Sequence, residues 1–176
     1  MNSSDLSDGT TLLAAQYNLL RQDMREANID IQTRILSLTA FQFFGSDSTM
    51  TWNMYNTGLH SASNTIALTA VAGVNLPNGC IITSFKAHWT RDDASATGTI
   101  SLYRSDFTGT SNAMASADSD STAGDHTVED TSISYATINN ADYSYGIEIV
   151  LDPNDDWHDV ALYAVTITYT IIKALP

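Results

Sequence analysis

Alternation of apolar and polar residues near the C-terminus constrains the fold more than any other feature of this 176-residue chain. In residues 143–151 one face is apolar throughout and carries Tyr143, Tyr145, Ile147, Ile149 and Leu151. The opposite face carries Ser144, Gly146 and Glu148. A period of two places alternate side chains on opposite sides of a β-strand. Residues 160–175 alternate in the same way, so we expect two long strands that each bury one face.

About eight segments of this kind follow one another between residues 50 and 175, without an intervening helical period. They are separated by turn sequences such as Pro77-Asn78-Gly79, which supply the fixed and positive φ angles that turns need. The pattern predicts a mainly β fold, a jelly-roll-like antiparallel β-sandwich over residues 40–176. Hydrophobic content of 43% with 15% charged residues fits a folded domain with its own core.

The N-terminal segment has a different period. Its apolar residues are spaced 4, 3, 4, 3 and 4 apart, which is a heptad pattern: Leu13, Tyr17, Leu20, Met24, Ala27 and Ile31. The spacing predicts a helix from Thr11 to about Leu38, within an N-terminal helical stalk or oligomerisation segment over residues 1–39. Further apolar positions widen the stripe, which favours a coiled coil of three or more helices, or a helix that also packs on another body. The alternative is an amphipathic helix that lies on its own domain.

The charge of the chain excludes several classes of partner. Twenty acidic and seven basic residues give a formal net charge of -13. Such a surface repels phosphate backbones and anionic lipid, so we expect no nucleic-acid binding. No apolar run approaches the roughly 20 residues of a membrane helix, so no membrane insertion is expected, and the first residues show no secretory signal. The single cysteine, Cys80, lies beside an apolar pair and is predicted to be a buried thiol.

One acidic loop is a candidate calcium site. Its hard oxygen ligands lie between the last two predicted strands: Asp152, Asn154, Asp155, Asp156 and Asp159. The alternative, which the pattern favours, is a solvated hairpin turn with excess negative charge. No other cofactor is indicated. No nucleophile motif, phosphate loop or dinucleotide fingerprint is present, so no catalytic residue is assigned and the chain is not expected to be an enzyme.

The helical opening resembles that of virion appendage proteins from tailed phages and archaeal tailed viruses. The matching residues are Gly9, Thr10, Leu12, Ala14, Tyr17, Asn18, Leu20, Arg21 and Asp23. The later stretches LPNGCIITSFKAHW and YSYGIEIVLDPND look like the jelly-roll domains of the same proteins. The resemblance implies a non-enzymatic structural protein of the particle surface, usually trimeric. It would be a capsid decoration or turret, spike or tail-fibre component, with other virion proteins as its partners.

Two other functions stay open. The first is a carbohydrate- or receptor-binding module that contacts a host-surface glycan through a tryptophan. Trp157, which lies in the acidic loop, is the favoured contact over Trp52 and Trp89, because a core tryptophan rarely sits among aspartates. The second is a cellular extracellular filament or surface-layer subunit. A binding module can also coexist with the virion role, on a receptor-binding fibre.

Overall fold

The structure, a computed structural model, describes residues 16–19, 29–46 and 52–174. Residues 16–19 are helical, and a single 3-10 turn spans Ala40–Gln42. The remaining regular structure is strand: β1 Ile29–Thr39, β2 Phe44–Gly45, β3 Trp52–Tyr55, β4 Gly58–Ser61, β5 Leu68–Val74, β6 Ile81–Arg91, β7 Thr97–Asp106, β8 Ser111–Ser116, β9 His126–Asp130, β10 Tyr143–Asp152 and β11 Val160–Ala174. No helix in these ranges is long and apolar enough to cross a membrane.

The strands form two sheets. Sheet A has the order β3-β4-β11-β6-β9, with β1 also paired to β11, and sheet B has the order β2-β5-β10-β7-β8. The pairs along both orders are antiparallel, and neighbours in the sheets are mostly distant in sequence. This is the antiparallel, jelly-roll-like sandwich that the alternation predicts, and it belongs to one compact unit, Thr33–Ile171.

The predicted helix is wrong from Ile29 onward, where the chain is strand β1 instead. The stretch IDIQTRILSLT is rich in β-branched isoleucine and threonine, which favour extended backbone. Its Leu36 and Leu38 pack on the sandwich core, and the strand pairs with β11. Leucines two residues apart lie on one face of a strand, whereas they would point about 200° apart on a helix. Pairing within the sandwich therefore overrides the heptad spacing.

Both sheets turn one apolar face inward, as the sequence predicts. Along β10 the residues Tyr145, Ile147, Ile149 and Leu151 are buried, and exposed or half-buried residues alternate with them. At the centre of the core Trp89 is fully buried and its Nε1 donates a hydrogen bond to the Ala117 carbonyl at 2.9 Å. This pairing matters because a buried indole N–H without an acceptor costs about 1–3 kcal/mol.

Candidate functional site

On the outer face of sheet B, one tyrosine lies in a cross-strand row whose other members are glycine or alanine. Gly73 on β5 pairs with Gly146 on β10, and Gly146 pairs in turn with Tyr103 on β7. Tyr103 pairs with Ala113 on the edge strand β8. The tyrosine ring therefore has a glycine on one side and an alanine on the other, with no bulky neighbour in its own row.

This row forms the floor of an open groove of about 490 Å³, which we call the sheet-B groove. Val71 and Glu148 lie toward one end of it and Ser144, Ser105 and Ser111 toward the other. A second depression of about 390 Å³ continues from the serine end and shares Gly73, Ser144 and Tyr145 with the first. The combined groove is of the size that holds small ligands or a stretch of a longer chain.

Among the residues that the structure describes, none requires glycine at the two floor positions. A Cβ on Gly73 would meet no atom within 4 Å, and a Cβ on Gly146 would meet only the Ala72 carbonyl oxygen, at 3.4 Å. Neither residue has a φ in the left-handed region. Glycine in the interior of a strand costs about 0.5–1 kcal/mol relative to alanine. Where no bulge or bend accounts for it, a glycine in a strand interior is typical of a site where a ligand or another backbone approaches closely.

Hydroxyl groups surround the glycine floor. Ser144 Oγ donates to the Ser105 carbonyl at 3.3 Å, and the hydroxyls of Ser105 and Ser111 lie 2.5 Å apart. These groups can both donate and accept hydrogen bonds. Tyr103 adds a half-buried ring, and Phe107, which is 71% exposed, lines the far depression. The groove thus combines aromatic surface with short, neutral hydrogen-bonding groups.

On the face of sheet B opposite the groove, an arginine side chain stacks against two tyrosine rings. The Arg104 guanidinium lies 3.4 Å from the ring centroid of Tyr135 and 4.4 Å from that of Tyr143. Tyr135 has a φ of 52°, a conformation that a bulky residue adopts only where its surroundings hold it. The stack fixes the loop that follows β9 against β7 and β10, the strands that carry the groove.

Trp157 lies elsewhere, in a group of rings at the edge of sheet A that we call the Trp157 cluster: Tyr55, His60, Trp157 and His158. The Trp157 ring makes edge-to-face contacts with Tyr55 at 5.6 Å and with His60 at 5.4 Å between centroids. Its backbone amide donates to Asn64 Oδ1 at 3.3 Å, and its carbonyl accepts from His60 Nδ1 at 3.3 Å. Trp157 is half-buried, whereas Tyr55 is 49% exposed.

Of the other two tryptophans, Trp89 is fully buried in the core and cannot contact a ligand, whereas Trp52 is 40% exposed on the edge strand β3. Of the two histidines in the cluster, His60 is buried. Burial lowers the pKa of His60, so its imidazole is neutral at pH 7. A buried Cys80 is confirmed, and burial raises the pKa of its thiol.

Two carboxylates of the acidic loop before β11 accept hydrogen bonds from the backbone of the same loop. Asp159 is buried, and its Oδ2 accepts from the amides of Asp156 and Asp155 at 3.0 and 3.3 Å. Asp156 Oδ1 accepts from the His158 amide and ring, and the amide hydrogen bond lowers the pKa of Asp156. Asp152 and Asn154 are exposed. Over the described ranges, no group of three His, Cys, Asp or Glu side chains is placed to hold a metal ion.

The predicted coiled-coil residues are only partly described. Tyr17 is helical and 60% exposed, and Ile31 is 65% exposed on strand β1 rather than on a helix. Leu13, Leu20, Met24 and Ala27 lie outside the described residues. Their role in a homotrimer stays a prediction.

No protein-family model matches the sequence, and no curated protein matches it significantly. Among solved structures, the chain is similar to a xylan-binding module, CBM15, with 12% identity, a TM-score of 0.49 and coverage of 78% of this chain and 97% of that one. It is also similar to the C-terminal CBM6 of a marine laminarinase from Zobellia galactanivorans, with 15% identity, a TM-score of 0.49 and coverage of 77% and 99%.

A family 6 carbohydrate-binding module from Clostridium cellulolyticum, solved with xylose, gives 14% identity, a TM-score of 0.47 and coverage of 75% and 95%. All three neighbours are carbohydrate-binding modules, and the match covers nearly their whole length. Similarity this low says nothing about what the present chain binds, so its function has to be inferred from its own groove.

Proposed function

We propose that this protein is a non-catalytic carbohydrate-binding module that holds a glycan chain in the sheet-B groove. The observation that carries the proposal is the row formed by Gly73, Gly146 and Tyr103. It exposes one aromatic ring beside a stretch of bare backbone on which a flat, extended ligand can lie.

The chemistry of the groove suits sugars. A pyranose ring presents apolar C–H faces and equatorial hydroxyls, so it needs aromatic surface together with short hydrogen-bonding groups. Tyr103 supplies the ring, and the hydroxyls of Ser105, Ser111 and Ser144 line the same groove. The groove is open and continues into the depression lined by Phe107, which favours an internal stretch of a chain over a small compact molecule.

Binding without catalysis is proposed because glycoside hydrolysis ordinarily uses a pair of carboxyl groups that face each other across the bond. Glu148 is the one acidic residue among the described residues that line the two depressions. A single carboxylate can accept a hydrogen bond from a sugar hydroxyl, but it cannot act as both general acid and nucleophile or base.

The proposal is tested by screening the protein on a glycan array and measuring the best ligand by calorimetry with Tyr103→Ala. We expect at least about a fivefold loss of affinity, because the stacked ring contributes on the order of 1 kcal/mol. Tyr103→Phe keeps the ring and should lose less. Native affinity in Tyr103→Ala, or an array without any bound glycan, would refute binding in this groove.

Trp157 is the second candidate contact for the same function, since the adjoining Tyr55 ring is exposed and Asn64 offers a polar group nearby. Trp157→Ala distinguishes the two surfaces. A loss of affinity in Trp157→Ala with native affinity in Tyr103→Ala would assign glycan binding to the Trp157 cluster instead of the groove.

The N-terminal resemblance supports a further part of the proposal, that the module is displayed on a virus particle as a homotrimer. Residues 9–23 match the helical openings of tailed-virus appendage proteins, and the acidic composition suits an exposed particle surface. Portal, terminase and major capsid genes beside this one would support the virion role. Neighbouring genes for surface-layer or filament assembly would favour the cellular alternative.

A further inference from the structure

Glu148 stands out in the sheet-B groove because it is the one charged side chain among the described lining residues. It lies on the outer face of the central strand β10, between Val71 on β5 and Ser101 on β7. Its side chain is exposed, two residues from Gly146 on the same face. A ligand that lies across the glycine floor therefore passes within a few ångströms of this carboxylate.

The charge of Glu148 is not compensated. In the part of the chain that the structure describes, its carboxylate has neither an ion pair nor a hydrogen bond. Three of the described basic side chains are engaged elsewhere. Lys86 lies 3.3 Å from Glu129, Arg91 donates to three backbone carbonyls, and Arg104 is stacked below the sheet.

An uncompensated carboxylate beside the ligand discriminates by charge. It can accept a charge-assisted hydrogen bond from a neutral sugar hydroxyl. A uronate or sulfate group at the same place would be repelled, by an amount that grows as water is displaced from between the charges. The described residues that line the groove offer such an anion no basic side chain in return.

We propose that Glu148 restricts the sheet-B groove to uncharged glycans and excludes chains that carry uronate or sulfate groups. This inference rests on the proposed function and names the chemical class of its ligand. The serines can also form hydrogen bonds with neutral sugar hydroxyls, so binding does not depend on Glu148 alone. Glu148 therefore determines which glycans bind rather than whether glycans bind.

The test compares matched pairs of soluble polysaccharides: a glucan with polyglucuronate, a mannan with polymannuronate, and an unsubstituted xylan with a glucuronoxylan. Affinity of the intact protein for each is measured by calorimetry at low and at physiological salt. We expect the neutral member of at least one pair to bind, and its anionic partner to bind at least about fivefold more weakly at low salt.

The variant Glu148→Gln keeps the size and an acceptor oxygen of the side chain but removes its charge. We expect it to reduce the preference for the neutral chain at least about fivefold. Asp152→Asn is the matched control, because Asp152 is exposed at the end of the same strand and outside the groove lining. It makes the same change in net charge and should leave the preference at its native value.

The outcomes separate the two proposals. If none of the six polysaccharides binds and the glycan array is also blank, the proposed function fails together with this inference. If glycans bind but an anionic chain binds the native protein as tightly as its neutral partner, the role of Glu148 is overturned while the binding function stands. If Asp152→Asn changes the preference as much as Glu148→Gln does, the net charge of the protein, rather than Glu148, sets the selectivity.

Discussion

Filling the floor of the sheet-B groove is expected to make the protein more stable and to weaken its binding. The double variant Gly73→Val with Gly146→Ala adds side chains where a Cβ meets either open space or one carbonyl oxygen at 3.4 Å. Each substitution reduces the conformational freedom of the unfolded chain, which is worth about 0.4–1 kcal/mol. The sum is about 1–2 kcal/mol, and for a chain of this size it corresponds to a rise in melting temperature of about 2–8 °C.

The same side chains occupy the surface on which the glycan would lie. Overfilling a close-fitting contact costs about 1–3 kcal/mol, so we expect glycan affinity to fall at least about fivefold. Thermal unfolding followed by circular dichroism gives the first quantity and calorimetry gives the second. Thr99→Val is the control, because it adds apolar surface on the same outer face but outside the groove lining, and it should leave the affinity unchanged.

The reasoning is refuted in either of two ways. A double variant that melts well below the native protein would show that the fold itself needs these glycines. A double variant that is stable and binds glycan with native affinity would show that the glycine floor is not the contact surface.

The remaining predictions concern the core, pH and assembly. Gly98→Ala should destabilise the protein by several kcal/mol, seen as a lower urea midpoint, because its Cβ would lie 2.5 Å from the buried Trp89 ring; an unchanged midpoint would contradict this packing. Burial lowers the pKa of His60, so the free energy of unfolding should be at its full value above about pH 6.5 and should fall as the pH drops below it. In melting curves from pH 8 to 5, His60→Gln should make this dependence on pH weaker. An equal dependence in the variant would exclude His60 as its source. Leu20→Asp with Met24→Asp should convert a trimer to monomers in light scattering, and a trimer that persists would exclude the predicted coiled coil.

Much of the sandwich can be read from the sequence because burial on one face imposes a period of two. The inward residues of β10 are confirmed in this way, as is the outward face that holds Gly146 and Glu148. Strand β1 was not predicted, since Ile31 and Ile35 fit a helical spacing as well as an extended one. Only its pairing with β11, which is distant in sequence, decides between them.

The sheet-B groove could not be predicted, because it depends on register between strands that are far apart in the chain. Gly73 and Gly146 are separated by about seventy residues, and their meeting follows from the β5–β10 register alone. The one available signal was glycine in the middle of an otherwise well-formed strand. For Trp157 the sequence was misleading in another way. Its acidic neighbours in the sequence favoured an exposed ring, whereas the structure packs the ring against Tyr55 and His60.

The most direct test of glycan binding in the groove is an NMR titration of the labelled protein with the neutral glycan that binds best. Gly73 and Gly146 have no side chain that covers their backbone amides, so the chemical shifts of these amides respond directly to a ligand on the groove floor. We expect the largest shift changes at these two amides and at Tyr103. Shifts confined to the Trp157 indole and Asn64, with the glycine amides unmoved, would contradict binding in the sheet-B groove.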